Sequence, residues 1–412
     1  MEPLRILFIC PYRPSLIRVR PYNLIQALAR RGHFITLLAL EPPAEDISGF
    51  DALREWCQRV EVIPLPHWRT LWNEVQALPS RTPFQAAYSR SPQMANLIRQ
   101  VQAEAAFDVV HVEHLRGAEL SRAVKGTPIV FDSVDSVSLL FEHVRRAGPT
   151  WLSRVLASLD LTRTRYYEGL LLERYSHVLA TSPRDRDALA ILSTALDVGG
   201  RLVVLPNGVD LGYFCAPAVP RDPATILFTG NMSYDPNAAA ASDLATDIMP
   251  YIWQQRPDAR LSIVGKDPPA NLLALTSDPR ITVTGFVPDL RPYLSRATVA
   301  VSPTRYGVGI QNKVLEAMAM ATPVVSTPQA ITALEARAGQ DLLVANTSRG
   351  IAESILKLLA DDGLCRRIGQ AGRRYVETCH NWTMIAEKLE MVYYWAIAEA
   401  GGRSRRPAAI SQ

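Results

Sequence analysis

Short apolar runs alternate repeatedly with longer amphipathic stretches along this sequence, and this alternation limits the possible folds. The short runs are apolar throughout, which is typical of strands buried on both faces of a parallel sheet. Such strands need helices on both sides, so the alternation predicts an α/β protein. The predicted strands are Arg5–Cys10, Phe34–Leu40, Val60–Ile63, Val109–Val112, Ile129–Phe131, Val178–Thr181, Thr225–Thr229, Arg260–Val264, Ile281–Thr284, Val299–Ser302 and Val324–Ser326.

The alternation forms two series, separated by a segment at Leu205–Arg221 that lacks it. Two series predict two doubly wound domains, which bind ligands beyond the carboxyl ends of their strands. The predicted helices are Pro21–Arg31, Met94–Ala106, Thr162–Arg174, Pro183–Leu192, Ala238–Gln255, Lys313–Met320, Ile351–Leu359, Leu364–Val376 and Trp382–Ala400.

Composition narrows the class of protein. The net charge is +4, and nucleic-acid binding would need the basic residues clustered in a stripe. The five cysteines are scattered without a CxxC pair, which favours free thiols over disulfides or a zinc site. The N-terminal run LRILFICPY predicts a strand rather than a signal peptide, and no apolar run approaches the ~18 residues of a membrane span.

The segment 299–327, VAVSPTRYGVGIQNKVLEAMAMATPVVST, predicts a strand, a glycine-bearing turn, a helix and a second strand. Gly307 and Gly309 would let the backbone approach a ligand closely. The helix N-terminus that follows offers unpaired N–H groups and a positive dipole end, which suit a phosphate. Lys313 and Glu316 are three residues apart and therefore share one helix face. A cation for phosphate and a carboxylate for sugar hydroxyls predict a nucleotide-sugar site.

This segment resembles the donor-binding signature of the retaining GT-B glycosyltransferases of family GT4. Other sequence motifs of that family are resembled, in the same order along the chain, by segments 172–189, 203–214, 226–240, 261–269 and 283–294. The resemblance implies an α/β GT-B fold, with two doubly wound Rossmann-like domains facing each other across a cleft. The expected organisation is an acceptor-side domain at 1–205, a linker at 206–221, a nucleotide-sugar-binding domain at 222–380, a helix at 381–400 crossing back to the N-terminal domain, and a disordered tail at 401–412.

The resemblance also implies roles for donor-site residues. Glu316 matches the family glutamate that accepts hydrogen bonds from the ribose hydroxyls, whereas Val308 stands where the family has its first glutamate. The family's phosphate-binding Arg and Lys are replaced by Asn231 and Asn237, so Lys313 and Lys266 are expected to stabilise the departing diphosphate. Phe286 is expected against the nucleobase, either stacked on it or packed in the protein. The other expected donor contacts are Gly230, Arg305, Gly307, Gly309, Ile310, Gln311 and Asn312.

In the first domain, polar residues end two predicted strands. Glu113 stands where many relatives have a histidine near the reacting sugar, and the adjacent His114 is an alternative for that role. Asp132 and Asp135 end the next strand and are second candidates. With His111, these residues are not at metal-ligand spacing, and the relatives are metal-independent, so we expect no metal ion.

The loop 10–24 carries arginines where relatives have glycines. Pro21 suits a first helical position, which would put Arg20 near the N-cap, where the helix dipole disfavours a cation. We therefore expect Arg18 or Arg20 to face the cleft and hold a phosphate. A second basic stretch, amphipathic in pattern, either docks on a membrane surface or forms a solvated helix face. It combines Arg145, Arg146, Arg154, Arg163 and Arg165 with Trp151, Leu152, Val155 and Leu156.

Together with these residues, the family resemblance implies a retaining, metal-independent glycosyltransferase without a cofactor. It would move a sugar from a nucleoside diphosphate sugar to a hydroxyl of a glycan or lipid-linked acceptor, in cell-surface polysaccharide or glycoconjugate synthesis. We expect it in the cytoplasm, with peripheral contact to the inner face of the plasma membrane through the N-terminal domain as one option, and without a nucleic-acid partner. The alternatives are a non-catalytic nucleotide-sugar-binding relative and a GT-B nucleotide-sugar epimerase. The oligomeric state stays open.

Overall fold

The computed structural model describes residues 2–16, 18–42, 49–147, 150–193, 200–215, 219–304 and 310–401. Residue contacts divide the chain into two units. The first unit comprises residues 1–206 and the C-terminal helix, and the second comprises residues 207–381. Each unit contains one parallel sheet. In the part of the chain that the structure describes, no helix has both the length and the apolar character needed to cross a bilayer.

In its described residues, the first unit is built on seven parallel strands. Their bounds are β1 (Arg5–Cys10), β2 (Phe34–Glu41), β3 (Arg59–Pro64), β4 (Val109–Glu113), β5 (Ile129–Val134), β6 (His177–Ala180) and β7 (Leu202–Val204). The sheet order is β3-β2-β1-β4-β5-β6-β7, so the direction of winding changes between β1 and β4. In doubly wound sheets, ligands bind beyond the carboxyl ends of the strands at this point.

Helices cover the sheet of the first unit. Their bounds are α1 (Val19–Arg30), α2 (His67–Ala77), α3 (Phe84–Tyr88), α4 (Pro92–Glu104), α5 (His114–Gly117), α6 (Val137–Ala147), α7 (Trp151–Arg174) and α8 (Pro183–Ala190). Strand β1 explains why the strands are apolar throughout. Leu7 and Ile9 enter one hydrophobic core, while Ile6 and Phe8 enter the core on the opposite face. Because both faces are covered, neither set of alternate positions can be polar.

The part of the second unit that the structure describes repeats this arrangement with six parallel strands. They are β8 (Thr225–Thr229), β9 (Arg260–Val264), β10 (Ile281–Val283), β11 (Val299–Ser302), β12 (Val324–Ser326) and β13 (Leu343–Val344), in the order β10-β9-β8-β11-β12-β13. The helices are α9 (Asp235–Asp243), α10 (Met249–Trp253), α11 (Ala270–Ala274), α12 (Arg291–Arg296), α13 (Asn312–Ala319), α14 (Ser348–Ala360) and α15 (Asp362–Cys379). Its winding changes between β8 and β11, and α13 follows β11.

The last helix, α16 (Trp382–Ala400), belongs to the first unit. Its residues Trp382, Leu389 and Tyr393 are buried in the same core as Ile6 and Phe8 of β1. The helix therefore completes the cover of the first sheet, although it lies at the far end of the chain.

The linker at 206–221 stays a prediction. Residue contacts group its described residues from 207 onward with the second unit. The Val209 N–H donates to the His380 carbonyl over 2.8 Å. The Arg221 guanidinium donates to carbonyl oxygens around the ends of two helices, including Ala297 at 2.8 Å and Ala321 at 2.8 Å. Carbonyls at helix ends lack partners within the helix, so this arginine fixes the segment to the second unit.

Several helix bounds differ from prediction. Helix α1 begins at Val19, so Arg18 is the N-cap residue and Arg20 lies in the first turn. Helix α7 begins at Trp151 rather than Thr162 because Thr150 and Ser153 form a capping box. The predicted helix Ala238–Gln255 is interrupted by a π-helical turn at Leu244–Ile248.

Candidate active site

Three neighbouring strands of the second sheet end in turns that are bonded to one another. The Gly230 N–H donates to the Val264 carbonyl over 3.1 Å, and the Gly265 N–H donates to the Gly285 carbonyl over 3.2 Å. A Cβ at position 265 would lie 1.7 Å from the Gly230 oxygen, so only glycine allows this approach. The carboxyl ends of β8, β9 and β10 therefore form one compact edge.

Lys313 lies in the first turn of α13 and is held beside this edge. Its Nζ donates to Asn237 Oδ1 over 2.6 Å and lies 4.5 Å from the centroid of the Phe228 ring. The Asn237 amide in turn donates to the Asn231 carbonyl over 2.9 Å. Burial lowers the pKa of Lys313 to about 8. Asn237, which stands where the family has a lysine, thus orients the cation that the chain supplies from α13.

Glu316 is half-buried one turn further along α13. Burial raises the pKa of its carboxyl group to about 7, and the positive charge of Lys313 opposes that rise. Among the described residues, the charge of Lys313 acts on this carboxylate and no hydrogen-bond donor does. A half-buried carboxylate is costly without donors, so this position is suited to hydroxyl groups of a ligand.

The structure describes some of the remaining residues predicted to contact the donor, and the others lie in a segment that it does not describe. Phe286 is 74% exposed, so its ring is not packed into the core. Gln311 is the N-cap residue of α13 and makes no capping bond with its side chain, while Ile310 and Asn312 are half-buried. The Lys266 carbonyl accepts from the Met232 N–H over 2.9 Å. Arg305, Gly307, Val308 and Gly309 lie outside the described residues.

Two hydroxyl groups at the end of β11 were not selected by the sequence reasoning. Ser302 Oγ and Thr304 Oγ1 are buried, and neither has a hydrogen-bond partner among the described residues. The Thr304 carbonyl accepts from Thr327 Oγ1 over 2.6 Å, which fixes the backbone there. The sequence pointed to these two hydroxyl groups only through their position at the carboxyl end of the predicted strand Val299–Ser302.

In the first unit, His111, Glu113 and Asp132 come together at the ends of β4 and β5. His111 Nε2 lies 3.9 Å from Glu113 Oε2 and 3.8 Å from Asp132 Oδ2, and all three residues are buried. The His111 Nδ1 atom is hydrogen-bonded to the Tyr393 hydroxyl at 2.8 Å. These three groups offer a metal ion one nitrogen and two carboxylate oxygens. This group of side chains is poorly suited to a metal ion, because the positive charge of Arg20 already lies close to Asp132, with Nε 2.8 Å from Oδ2.

The predicted catalytic residue Glu113 is enclosed in this network. It is 1% exposed, and its Oε1 accepts from the Tyr12 hydroxyl over 2.9 Å. Burial raises the pKa of Glu113. Within the described residues, Glu113 Oε2 and His111 Nε2 have no hydrogen-bond partner. A catalytic role for Glu113 stays a prediction, and it would require access that its burial in the first unit does not provide.

His114 and Asp135 follow the same two strands. Burial, with Arg116 and Arg18 nearby, lowers the pKa of His114 to about 3, and its Nδ1 accepts from the Arg116 N–H over 3.2 Å. His114 is therefore a neutral side chain at physiological pH. Burial and the charge of Asp185 raise the pKa of Asp135 to about 6, and its Oδ1 accepts from Thr181 Oγ1.

Backbone strain marks the same ends of β4 and β5. His114 has a φ of 61° and Val134 has a φ of 64°, in the left-handed region that non-glycine residues rarely adopt. For a β-branched valine this conformation is unfavourable and must be held by its surroundings. Strained backbone is concentrated at functional positions, so its presence here supports a functional role for this edge of the first sheet.

The two arginines of the first loop have different environments. Arg20 is 4% exposed and donates to Asp132 and to the Pro206 carbonyl. As expected, Arg20 lies near the N-cap of α1, two residues after Arg18, and it is paired with the internal carboxylate of Asp132. Phosphate binding by Arg20 stays a prediction. Arg18 is exposed, with its guanidinium carbon 4.5 Å from the centroid of the Tyr12 ring. Phosphate binding by Arg18 stays a prediction.

Comparison with known families gives the class of this protein. Residues 18–213 match the family described as Glycosyltransferase Family 4, and residues 223–361 match the family described as Glycosyl transferases group 1. Together the two segments cover about four fifths of the chain. The chain belongs to the group 1, family 4 glycosyltransferases.

Two curated relatives support this assignment. The chain is 30% identical over 136 residues to the capsular polysaccharide biosynthesis glycosyltransferase CapM of Staphylococcus aureus, a match that covers 32% of this chain and 36% of CapM. It is 24% identical over 410 residues to glycogen synthase of Mycobacterium tuberculosis, covering 94% of this chain and 92% of that protein.

Solved structures confirm the fold. Sucrose-phosphate synthase from Thermosynechococcus elongatus matches with a TM-score of 0.69 at 19% identity, covering 96% of this chain and all of that one. Anabaena HepE in complex with UDP and glucose matches with a TM-score of 0.66 at 14% identity, covering 95% of this chain and 100% of that one. At this identity the likeness shows the fold, which is of the GT-B type with two Rossmann-like domains.

Proposed function

We propose that this glycosyltransferase moves a sugar from a nucleoside diphosphate sugar to a hydroxyl of a glycan or lipid-linked acceptor. The proposal includes retention of anomeric configuration and independence of metal ions. The observation that carries it is the pair on α13: a half-buried cation held by Asn237 and, three residues on, a half-buried carboxylate without a hydrogen-bond donor among the described residues. Phosphate and ribose hydroxyls are the two groups that such a pair fits.

The chemistry of transfer places negative charge on the departing diphosphate. Lys313 is partly removed from water, so its charge acts more strongly on a nearby anion than an exposed lysine would. The N–H groups at the start of α13 add the positive end of the helix dipole. A chain that supplies these positive groups needs no divalent cation to balance the diphosphate. Retention is the stereochemistry that the family resemblance implies.

The names of related proteins suggest which ligands to test. HepE has been solved with UDP and with UDP-glucose, so uridine diphosphate sugars are the first donors to test. CapM is named for capsular polysaccharide biosynthesis, which supports the proposed role in cell-surface polysaccharide synthesis. All five cysteines are free, which fits the reducing cytoplasm that we propose as the site of action.

The test of the donor site is Glu316→Gln. This change keeps the shape of the side chain but removes its charge, so nucleoside diphosphate binding should weaken by about 1.5–3 kcal/mol. Isothermal titration with UDP, GDP and ADP measures the loss. Glu353→Gln, on the exposed side of α14 in the same unit, is the matched control and should leave the affinity unchanged. Equal affinities for the wild-type protein and Glu316→Gln would remove Glu316 from the site.

The pH dependence of binding provides a second measurement on the same variant. Ribose hydroxyls donate to the ionised carboxylate, so wild-type affinity should fall as the pH decreases through about 7, where Glu316 becomes protonated. Above about pH 8, Lys313 loses its charge and affinity should fall again. In Glu316→Gln, the loss near pH 7 should disappear, and only the titration of the nucleotide phosphate near pH ~6 should remain on the acid side.

Removal of metal ions tests the proposed charge balance. Sugar transfer, or hydrolysis of the donor in the absence of an acceptor, should retain full activity in excess EDTA because Lys313 and the α13 N-terminus supply the positive charge. The measurement is the rate of nucleoside diphosphate release before and after chelation. An activity lost with EDTA and restored by Mg²⁺ or Mn²⁺ would contradict metal independence without affecting the donor-site assignment.

A further inference from the structure

Helices α2 and α7 of the first unit carry large apolar side chains that are exposed to solvent. These residues are Trp68, Leu71, Trp72, Val75 and Leu78 at α2, and Trp151, Leu152, Val155, Leu156 and Leu159 in the first half of α7. Each is at least 43% exposed, and Trp151 reaches 71%. Single exposed apolar residues are ordinary, but a contiguous set of this size marks a binding surface.

The spacing places each set on one side of its helix. On α2 the positions recur at i, i+3, i+4 and i+7, and on α7 at i, i+1, i+4, i+5 and i+8. The opposite sides of the helices are buried against the unit, through Asn73 and Ala77 on α2 and through Ala157 and Leu161 on α7. The exposed apolar sides are therefore additional to the faces that build the core.

The two sets are neighbours in the fold. Arg163 of α7 donates to the Leu78 carbonyl, directly after α2, over 2.7 Å. The Phe84 N–H donates to the Asp160 carboxylate over 3.1 Å, and the Arg81 guanidinium carbon lies 5.2 Å from the centroid of the Tyr166 ring. The segment at the end of α2 thus lies against the middle of α7, so the two exposed sets are on neighbouring elements of the first unit. We call these ten apolar residues together the α2–α7 surface.

Most of the exposed charges around this surface are positive, and the acidic Glu74 of α2 is half-buried with the charge of Arg116 acting on it. Arg81, Arg145, Arg146 and Arg154 are exposed. Two other acidic residues lie close to these arginines. Glu142 is ion-paired with Arg165, and Asp160 is buried, with 3% of its surface exposed. An apolar surface surrounded by arginines is complementary to a partner that has an apolar interior and negative charges on its surface. A bilayer containing anionic phospholipids has this composition.

We propose that the α2–α7 surface docks on the face of an anionic phospholipid bilayer. Tryptophan rings place an apolar body and a polar N–H at the level of the lipid headgroups, and arginines bind lipid phosphates through paired donors. The leucines and valines of both helices enter the outer part of the acyl region. The contact is peripheral, and it does not depend on the donor chemistry proposed above.

Vesicle flotation of the full-length protein tests this proposal. The probes are vesicles of phosphatidylcholine alone and vesicles with about 30 mol% phosphatidylglycerol, at low and high salt. The wild-type protein should bind the anionic vesicles and dissociate in part at high salt. Trp68→Gln/Trp72→Gln and Arg145→Gln/Arg146→Gln/Arg154→Gln should each reduce partitioning by at least about tenfold. All of these side chains are exposed, so circular dichroism should show unchanged folding.

The second unit offers matched controls. Tyr251→Gln/Leu273→Gln removes two exposed apolar side chains there, and Arg349→Gln/Arg366→Gln/Arg367→Gln removes three exposed arginines. Both should bind vesicles like the wild-type protein. Failure of the wild-type protein to bind either vesicle, or equal losses in the control variants, would overturn the proposal. A dimer of the wild-type protein that Trp68→Gln/Trp72→Gln dissociates, with no vesicle binding, would assign the surface to a second copy and also overturn it.

Discussion

Replacing Lys313 with methionine should reduce kcat/KM for sugar transfer, or for donor hydrolysis, by about 100- to 1000-fold. Methionine keeps the apolar stem that lies on the Phe228 ring but removes the cation held 2.6 Å from Asn237 Oδ1. The lost interaction is one that strengthens as negative charge develops on the leaving diphosphate. A fall in kcat larger than the rise in KM is therefore expected, and steady-state kinetics of nucleoside diphosphate release measures both.

The control for this substitution is Lys357→Met in α14. Lys357 is exposed in the same unit, so the change removes the same charge away from the donor site and should leave kcat/KM unchanged. Asn237→Ala should have an intermediate effect, since it keeps the lysine but removes the oxygen that positions it. Wild-type kinetics in a folded Lys313→Met protein would exclude Lys313 from charge stabilisation.

Replacing Arg20 with methionine should destabilise the first unit by about 3–5 kcal/mol, because Asp132 would then be a buried carboxylate without its cation. Arg20 and Asp132 are 4% and 0% exposed at the side chain, and their Nε and Oδ2 atoms are 2.8 Å apart. Chemical denaturation measures the free energy of unfolding. Since Asp132 also lies 3.8 Å from His111 Nε2, the variant should also disturb the polar network of the first unit.

An exposed ion pair in the second unit provides the comparison for Arg20. Arg296 and Asp222 are 3.1 Å apart but 65% and 42% exposed, so Arg296→Met should change the free energy of unfolding by less than about 1 kcal/mol. Arg20→Lys separates charge from geometry, since lysine keeps the charge but loses the planar set of donors shared by Asp132 and the Pro206 carbonyl. A loss for Arg20→Met no larger than that for Arg296→Met would show that the buried pair does not stabilise the unit.

The central strands were predictable because a continuous apolar run is a property of neighbouring residues in the sequence. The structure gives β1, β8, β9, β11 and β12 the bounds that the apolar runs predicted. In each case the run is continuous, since helices cover both faces of the sheet. The short edge strands β7 and β13 span three and two residues and were not predicted, because so few residues carry no periodic pattern.

The arrangement of the proposed donor site was predictable to the extent that its residues are close in sequence. Lys313 and Glu316 share one helix, and the three-residue spacing alone places them together. The contact of Asn237 with Lys313 was not predictable from the family resemblance, which indicated only a missing charge at position 237. This contact joins residues 76 positions apart, and it exists because β8 and β11 are neighbours in the sheet.

The class of fold, the central strands and the family follow from the sequence alone, because continuous apolar runs and short motifs are properties of neighbouring residues. Which polar groups have partners depends on residues that are far apart in the chain, and that became clear from the three-dimensional structure. Arg20 looked like a free cation at a helix start, yet its carboxylate lies 112 residues away in sequence, at the end of β5. The same holds for the α2–α7 surface, because an amphipathic pattern shows that a helix has two faces but not which face the rest of the fold covers.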